Sequence, residues 1–210
     1  MRIDADRVAP DRARPRIARP GGPAHRGACM KIIGFVGDSG SGKTTLVEQL
    51  IARFVVGGLR VAAIKHAHHG FDIDRPGKDS YRFRAAGASQ VLLASDQRWV
   101  LMSDEPEADS AAALARHIAR LDRCDLVIVE GYRGQAGIAC VEVRRAARDE
   151  PPGVRDGNPA LRPPPAGRIA IASDVEWPAS GSDSELPILD LNDVEAIAQF
   201  IGRHLELPLC

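Results

Sequence analysis

A chain of 210 residues is long enough to bury a substantial core, and one domain is the default for that size. Lys plus Arg and Asp plus Glu both number 28, so the formal net charge is zero and no global field argues for nucleic acid or an anionic membrane as partner. Cys29, Cys124, Cys140 and Cys210 lie far apart with no C-x-x-C pair, which argues against structural zinc and a disulfide framework and suits a reducing cytoplasm. No apolar run approaches the ~20 residues of a membrane helix.

Residues 1–29 carry seven arginines (positions 2, 7, 12, 14, 16, 19 and 26) against Asp4, Asp6 and Asp11, and so are net +4 while the remainder is net −4. Rich in Arg, Pro, Ala and Gly and without periodicity, they read as a disordered extension, with the domain over 30–210. Acidic residues and the lack of an apolar h-region argue against a targeting peptide. Met30 directly precedes the first strand, and translation starting there is the expectation.

Lys31-Ile32-Ile33-Gly34-Phe35-Val36 is a short apolar run of the kind that forms a buried parallel strand. Gly37-Asp38-Ser39-Gly40-Ser41-Gly42-Lys43-Thr44 then fits G-x-x-x-x-G-K-[ST], the phosphate-binding P-loop. Leu46, Leu50 and Phe54 recur at helical spacing, as do Val47, Ile51 and Val55, and Gly57-Gly58 supplies the stop. Glycines let successive N–H groups turn toward phosphate oxygens, and the helix N-terminus adds partial positive charge. Lys43 can reach the β- and γ-phosphates, and the Thr44 hydroxyl is placed to bind Mg²⁺. The motif with both flanks points to a nucleoside triphosphate.

Leu59 to Lys65 reads as a second strand. The polar stretch after it, Lys65-His66-Ala67-His68-His69-Gly70-Phe71-Asp72-Ile73-Asp74-Arg75-Pro76-Gly77-Lys78-Asp79-Ser80, leaves the carboxyl end of that strand, where open α/β sheets bind ligands. A solvated loop and a substrate or switch loop are equal readings. A transition-metal site ranks third, because H-x-H-H matches no defined zinc spacing. Asp72, Asp74 and Asp79 can instead orient water around Mg²⁺. Asp79 or Ser80 is expected to cap a short helix stopped by Gly87. Residues 89–94 and 98–102 read as a hairpin, and 108–121 as a helix with Leu114, Ile118 and Leu121 on one face. Arg82 and Arg84 read as surface charges or as anion contacts.

Leu126-Val127-Ile128-Val129-Glu130-Gly131 has the form of a Walker B strand, whose closing carboxylate holds Mg²⁺ directly or through water. Here that acid is Glu130, which can also activate a nucleophile. Ile138 to Val143 reads as a strand running into Arg144 and Arg145, and the proline-rich residues 146–167 as a mobile loop. Arg168 to Ala172 is a buried strand ending in Ser173-Asp174. An Asp at the end of a late strand can accept from guanine N1 and N2, which adenine cannot match; a helix cap is the alternative. Pro187 to Asp190 makes a last strand. Asn192 or Asp193 caps a closing helix with Val194, Ile197, Ile201 and Leu205 inward.

Gly37 to Thr45, the Lys65-His66-Ala67-His68-His69 stretch running to Gly77-Lys78-Asp79-Ser80, Ala86-Gly87-Ala88, Val129-Glu130-Gly131-Tyr132, Glu142-Val143-Arg144-Arg145 and Ala172-Ser173-Asp174 together resemble the MobB family. These are the molybdopterin-guanine dinucleotide biosynthesis adaptor proteins. The resemblance covers Met30 to about His204, and the His-rich loop is more specific than the P-loop. The chain departs from the family pattern at Arg133, where Lys is usual, and in a longer loop at 150–167. The resemblance implies an α/β fold, a P-loop NTPase-type three-layer sandwich with a mostly parallel sheet and an added β-hairpin. It further implies a GTP-binding, dimeric, cytoplasmic protein with at most slow hydrolysis, using GTP and Mg²⁺. Its partners would be molybdopterin and the nucleotidyltransferase MobA, which joins GMP to molybdopterin.

Carried over by position, Gly37, Asp38, Ser39, Gly40, Ser41, Gly42, Lys43, Thr44 and Thr45 would hold the phosphates, with Thr44 and Glu130 at the metal. Lys43 and Glu130 are the candidate catalytic groups. His66, His68, His69, Asp72, Asp74, Lys78 and Asp79 would face nucleotide or pterin phosphate, Arg145 would contact an anion, and Asp174 would read the base. Two other classes remain. A small-molecule kinase would turn over rapidly only with an added alcohol, with Asp72, Asp74 or Glu130 as base. A GTPase metal chaperone would bind Ni²⁺ or Zn²⁺ through His66, His68 and His69.

Overall fold

Leu126-Val127-Ile128-Val129 is apolar at every position because its strand is covered on both faces. Leu126 and Ile128 point into one hydrophobic cluster and Val127 and Val129 into another, all at most 1 % exposed. The structure, a computed structural model, describes residues 30–67, 71–104, 110–132, 137–145, 164–175 and 185–208. The expectations for the extension 1–29, for His68 and His69, for Arg133 and for most of the proline-rich loop (146–163) lie outside those residues.

In chain order the elements are β1 (Lys31–Val36), α1 (Lys43–Val56), β2 (Val61–Lys65), α2 (Asp79–Ala85), β3 (Gln90–Ala94), β4 (Trp99–Ser103), α3 (Ser110–Ala119), β5 (Leu126–Glu130), β6 (Cys140–Arg144), β7 (Arg168–Ser173), β8 (Ile188–Asp190) and α4 (Val194–Leu205). Six of the strands form one sheet in the order β2-β5-β1-β6-β7-β8, and every neighbouring pair in it is parallel. β1 lies at its centre, between β5 and β6, so the order reverses there. That reversal opens a crevice at the carboxyl ends of the strands.

The helices complete the layers. Leu46, Leu50 and Phe54 of α1 pack with Ile197 and Ile201 of α4 on Ile33, Phe35, Ile128, Val141 and Ala170. On the opposite face Leu114 packs with Val127, Val129 and Tyr132; Ile118 joins it as the spacing predicts, and Leu121 joins it from the turn just beyond the end of α3 at Ala119. Asp193 caps α4, its Oδ1 accepting from the Ala196 N–H at 2.9 Å, and Arg53 of α1 pairs with Glu195 of α4. The hydrogen bonds from that guanidinium hold the Glu195 carboxyl down at about 2.

Two local expectations need correction. The strand foreseen from Leu59 begins only at Val61, because the Leu59 N–H donates to Phe54 O at 3.0 Å and belongs to the exit turn of α1. Neither Asp79 nor Ser80 caps α2. The capping position falls on Lys78, with no side-chain bond, and the Ser80 hydroxyl is turned away to donate to Asp74 Oδ1 at 2.7 Å.

β3 and β4 form the foreseen hairpin as a separate antiparallel pair, with Leu92 opposite Leu101 and Ala94 opposite Trp99. Val91 and Met102 are buried, whereas Leu92, Trp99 and Leu101 are 59 %, 63 % and 42 % exposed. Among the described residues no helix is long and apolar enough to cross a membrane.

Candidate functional site

The parallel register carries β1 and β5 to a common edge, with Phe35 opposite Glu130. From that edge the chain leaves β1 through Gly37–Gly42 and enters α1 at Lys43. The Ser41 N–H donates to Asp38 O at 3.2 Å, and Ser41 is buried beneath the turn while Ser39 and Gly40 face solvent. Gly37 lies so close to β6 that a Cβ there would run into Val143 O. Gly42 occupies the N-cap position at φ 92, supplies no side-chain cap, and no acidic residue follows in the first turn. The first amides of α1 therefore keep their donors for an external anion.

The charged groups converge on this loop. Lys43 Nζ donates to Asp38 O at 2.6 Å and lies 3.5 Å from Ser41 Oγ, so its ammonium sits over the turn. The Thr44 hydroxyl donates to Glu130 Oε1 at 2.8 Å. A hydroxyl and a carboxylate side by side are the hard oxygen donors that Mg²⁺ prefers, and the pair fits that ion. Thr45 is exposed on the same turn of α1.

Lys65, which the sequence reading did not single out, reaches the same place. Its Nζ lies 3.2 Å from Thr44 Oγ1 and 3.3 Å from Glu130 Oε1. The only local sign was a lysine closing an apolar strand; its partner becomes visible only when β2 pairs with β5 and sets Lys65 opposite Glu130. His66 follows, its N–H donating to Glu130 O at 2.9 Å and its ring 4.4 Å from that of Tyr132. The Tyr132 hydroxyl in turn meets His117 Nδ1 of α3 at 2.9 Å. Tyr132 adopts φ 56, an uncommon conformation for a side chain of that bulk, so the turn after Glu130 is held in a strained form by its neighbours.

Arg145 and Asp174 come together because Arg144 pairs with Ser173, which makes the residues that follow neighbours. Arg145 Nε lies 3.3 Å from Asp174 Oδ2, and its guanidinium also flanks Gly42, a Cβ there falling 3.5 Å from Cζ. Asp174 thus stands at the carboxyl end of β7, two strands from the P-loop strand.

The rest of the 66–79 stretch is engaged elsewhere among the described residues. Arg84 Nη1 lies 3.1 Å from Asp72 Oδ1 and 3.7 Å from Asp74 Oδ2. The Asp72 carboxyl is lowered, chiefly by the Asp74 N–H it accepts and also by Arg84. Asp79 pairs with Arg82 at 3.7 Å, and Lys78 is exposed beside it. Among the described residues no group of three or more His, Cys, Asp and Glu side chains is arranged to hold a metal.

A parallel sheet with the reversal at β1, a glycine loop at its carboxyl edge and a lysine-threonine pair opening α1 define a P-loop NTPase-type α/β fold. The description of one family, MobB, "Molybdopterin guanine dinucleotide synthesis protein B", matches residues 32–162, and the chain belongs to that family. It is 37 % identical over 179 residues to the molybdopterin-guanine dinucleotide biosynthesis adapter protein of Escherichia coli, covering 84 % of this chain and 94 % of that one. To the protein of the same description from Haemophilus influenzae it is 36 % identical over 176 residues, 84 % and 90 % of the two chains. The fold is similar to that of a crystal structure of Bacillus subtilis MobB, with a TM-score of 0.60 at 20 % identity over 84 % of this chain and 98 % of that one.

Proposed function

We propose that this protein binds GTP with Mg²⁺ and acts as an adaptor in the formation of molybdopterin guanine dinucleotide. In that role it assists the nucleotidyltransferase, MobA, that joins GMP to molybdopterin. The observation that carries the nucleotide half is the Thr44–Glu130 contact of 2.8 Å beside the Lys43 ammonium and the uncapped start of α1. Those groups match what a triphosphate and its metal require. The pathway half rests on family membership and on the names of the relatives in Escherichia coli and Haemophilus influenzae.

Guanine selection is assigned to Asp174. Its carboxylate would accept from N1 and N2 of the base, with Arg145 holding it in place at 3.3 Å. Hydrolysis is slow at most in this reading, since Glu130 is turned to Thr44 and the metal beside it rather than to a water. The loop from His66 through His68, His69 and Lys78 is assigned to face nucleotide or pterin phosphate, with Asp72 and Asp74 held by Arg84 and Asp79 by Arg82 as its frame. The exposed Leu92, Trp99 and Leu101 of the hairpin support a homodimer, a second copy covering that apolar face, and the same reading places the protein in the cytoplasm with its pathway.

The test is reconstitution. The full chain is added to the nucleotidyltransferase with molybdopterin, GTP and Mg²⁺, and the dinucleotide cofactor formed is measured. A several-fold gain in yield is expected, with nucleotide binding by the chain needed for it. Equal yields with and without the chain would contradict the adaptor role.

A further inference from the structure

The pairing of β2 with β5 sets Lys65 directly opposite Glu130, and side chains at paired positions leave a sheet on the same side. Lys65 is the last residue of its strand, so its long side chain extends past the sheet edge toward α1. There its ammonium contacts both oxygens of the candidate metal pair, Thr44 Oγ1 at 3.2 Å and Glu130 Oε1 at 3.3 Å. Those two oxygens are themselves 2.8 Å apart. One positive charge thus stands on the ground that a divalent cation needs.

We propose that Lys65 is a tethered competitor of the metal: its ammonium holds the Thr44–Glu130 pair and must leave before Mg²⁺ can bind there. A Mg²⁺ ion sits about 2.1 Å from its oxygen ligands and demands near-octahedral order. An ion at that distance from Thr44 Oγ1 and Glu130 Oε1 would share their open side with Nζ, and like charges so close repel strongly. Lys65 is free to yield, its side chain being 62 % exposed against 11 % for Glu130. Metal entry then displaces the Lys65 side chain alone, because the backbone at the end of β2 stays paired with β5 and the His66 N–H stays on Glu130 O at 2.9 Å. This inference rests on the reading of Thr44 and Glu130 as the metal pair.

The experiment titrates Mn²⁺ into the full chain carrying a non-hydrolysable GTP analogue, with protein in excess, and follows free Mn²⁺ by its paramagnetic resonance signal. Lys65→Met is expected to tighten Mn²⁺ by roughly three- to thirtyfold, because a competing charge is gone. Lys65→Arg, which keeps the charge, is expected to stay near the parent value, and Thr44→Ala to weaken binding. Melting curves establish that each variant is folded. If Lys65→Met leaves Mn²⁺ affinity unchanged or lowers it while Thr44→Ala still weakens binding, the competitor role is overturned and the metal site stands. If Thr44→Ala has no effect on Mn²⁺, the metal pair itself is wrong, and the competitor role falls with it.

Discussion

Replacing Lys43 by Ala is expected to weaken nucleotide binding by roughly a hundredfold or more while the fold persists. Hydrogen bonds to charged groups are worth about 1.5–3 kcal/mol each, and the lysine of a P-loop serves two phosphates. Each 1.4 kcal/mol is a factor of ten in affinity. The site offers no ready substitute. Among the described residues Lys65 is another ammonium nearby, and it reaches in from β2 on the Thr44–Glu130 side, whereas the Lys43 ammonium sits over the turn. Stability should change little, since Lys43 lies outside both hydrophobic clusters and alanine is well tolerated in a helix. The loss inside the protein is chiefly the 2.6 Å bond to Asp38 O. Calorimetric titration with GTP and Mg²⁺ reads the first effect and a thermal melt the second. Unchanged affinity in a folded variant would sink the P-loop assignment.

Gly37→Ala should damage both the site and the fold. The added methyl would run into Val143 O and come within 3.0 Å of Ser41 Oγ. Neither neighbour gives way easily, because Val143 belongs to β6, bonded on both sides within the sheet, and Ser41 is buried under the turn. Overpacking of this kind costs about 1–3 kcal/mol, and a residue forced into a sparsely populated conformation about 1–3 kcal/mol more. For a domain of this size that lowers Tm by roughly 4–24 °C. Gly40→Ala is the internal control. Its φ of +75 is unfavourable for alanine, but a Cβ there meets nothing within 4 Å, so only the backbone cost of about 1–2 kcal/mol applies. A Gly37→Ala protein melting no lower than Gly40→Ala would show that the close approach of the loop to β6 is not a constraint.

The parts of this molecule legible in its sequence are those whose signal is local. The P-loop is contiguous, the strand at Leu126 is apolar throughout because both its faces are covered, and Asp193 caps α4 three residues from the Ala196 N–H that donates to it. What stayed hidden depends on partners far along the chain. Arg145 and Asp174 were each recognisable as polar residues at strand ends, yet their contact follows from the register of β6 on β7. Lys65 looks like the last residue of a strand until β5 is placed beside it. Asp72 and Asp74 read naturally as ligands for a loop that faces substrate, and in the structure both are engaged by Arg84 of α2. The missed cap at α2 has a nearer origin, since Ser80 is drawn to Asp74, six residues back, by the fold of the preceding loop.

Guanine-nucleotide binding through this P-loop is tested most directly by competition between GTP and ATP for the full chain with Mg²⁺, repeated on Asp174→Asn. A clear preference for GTP, at least about tenfold, is expected, and it shrinks markedly in the variant because the carboxylate that accepts from N1 and N2 is gone. A preference for ATP, or a GTP preference that Asp174→Asn leaves untouched, would contradict it.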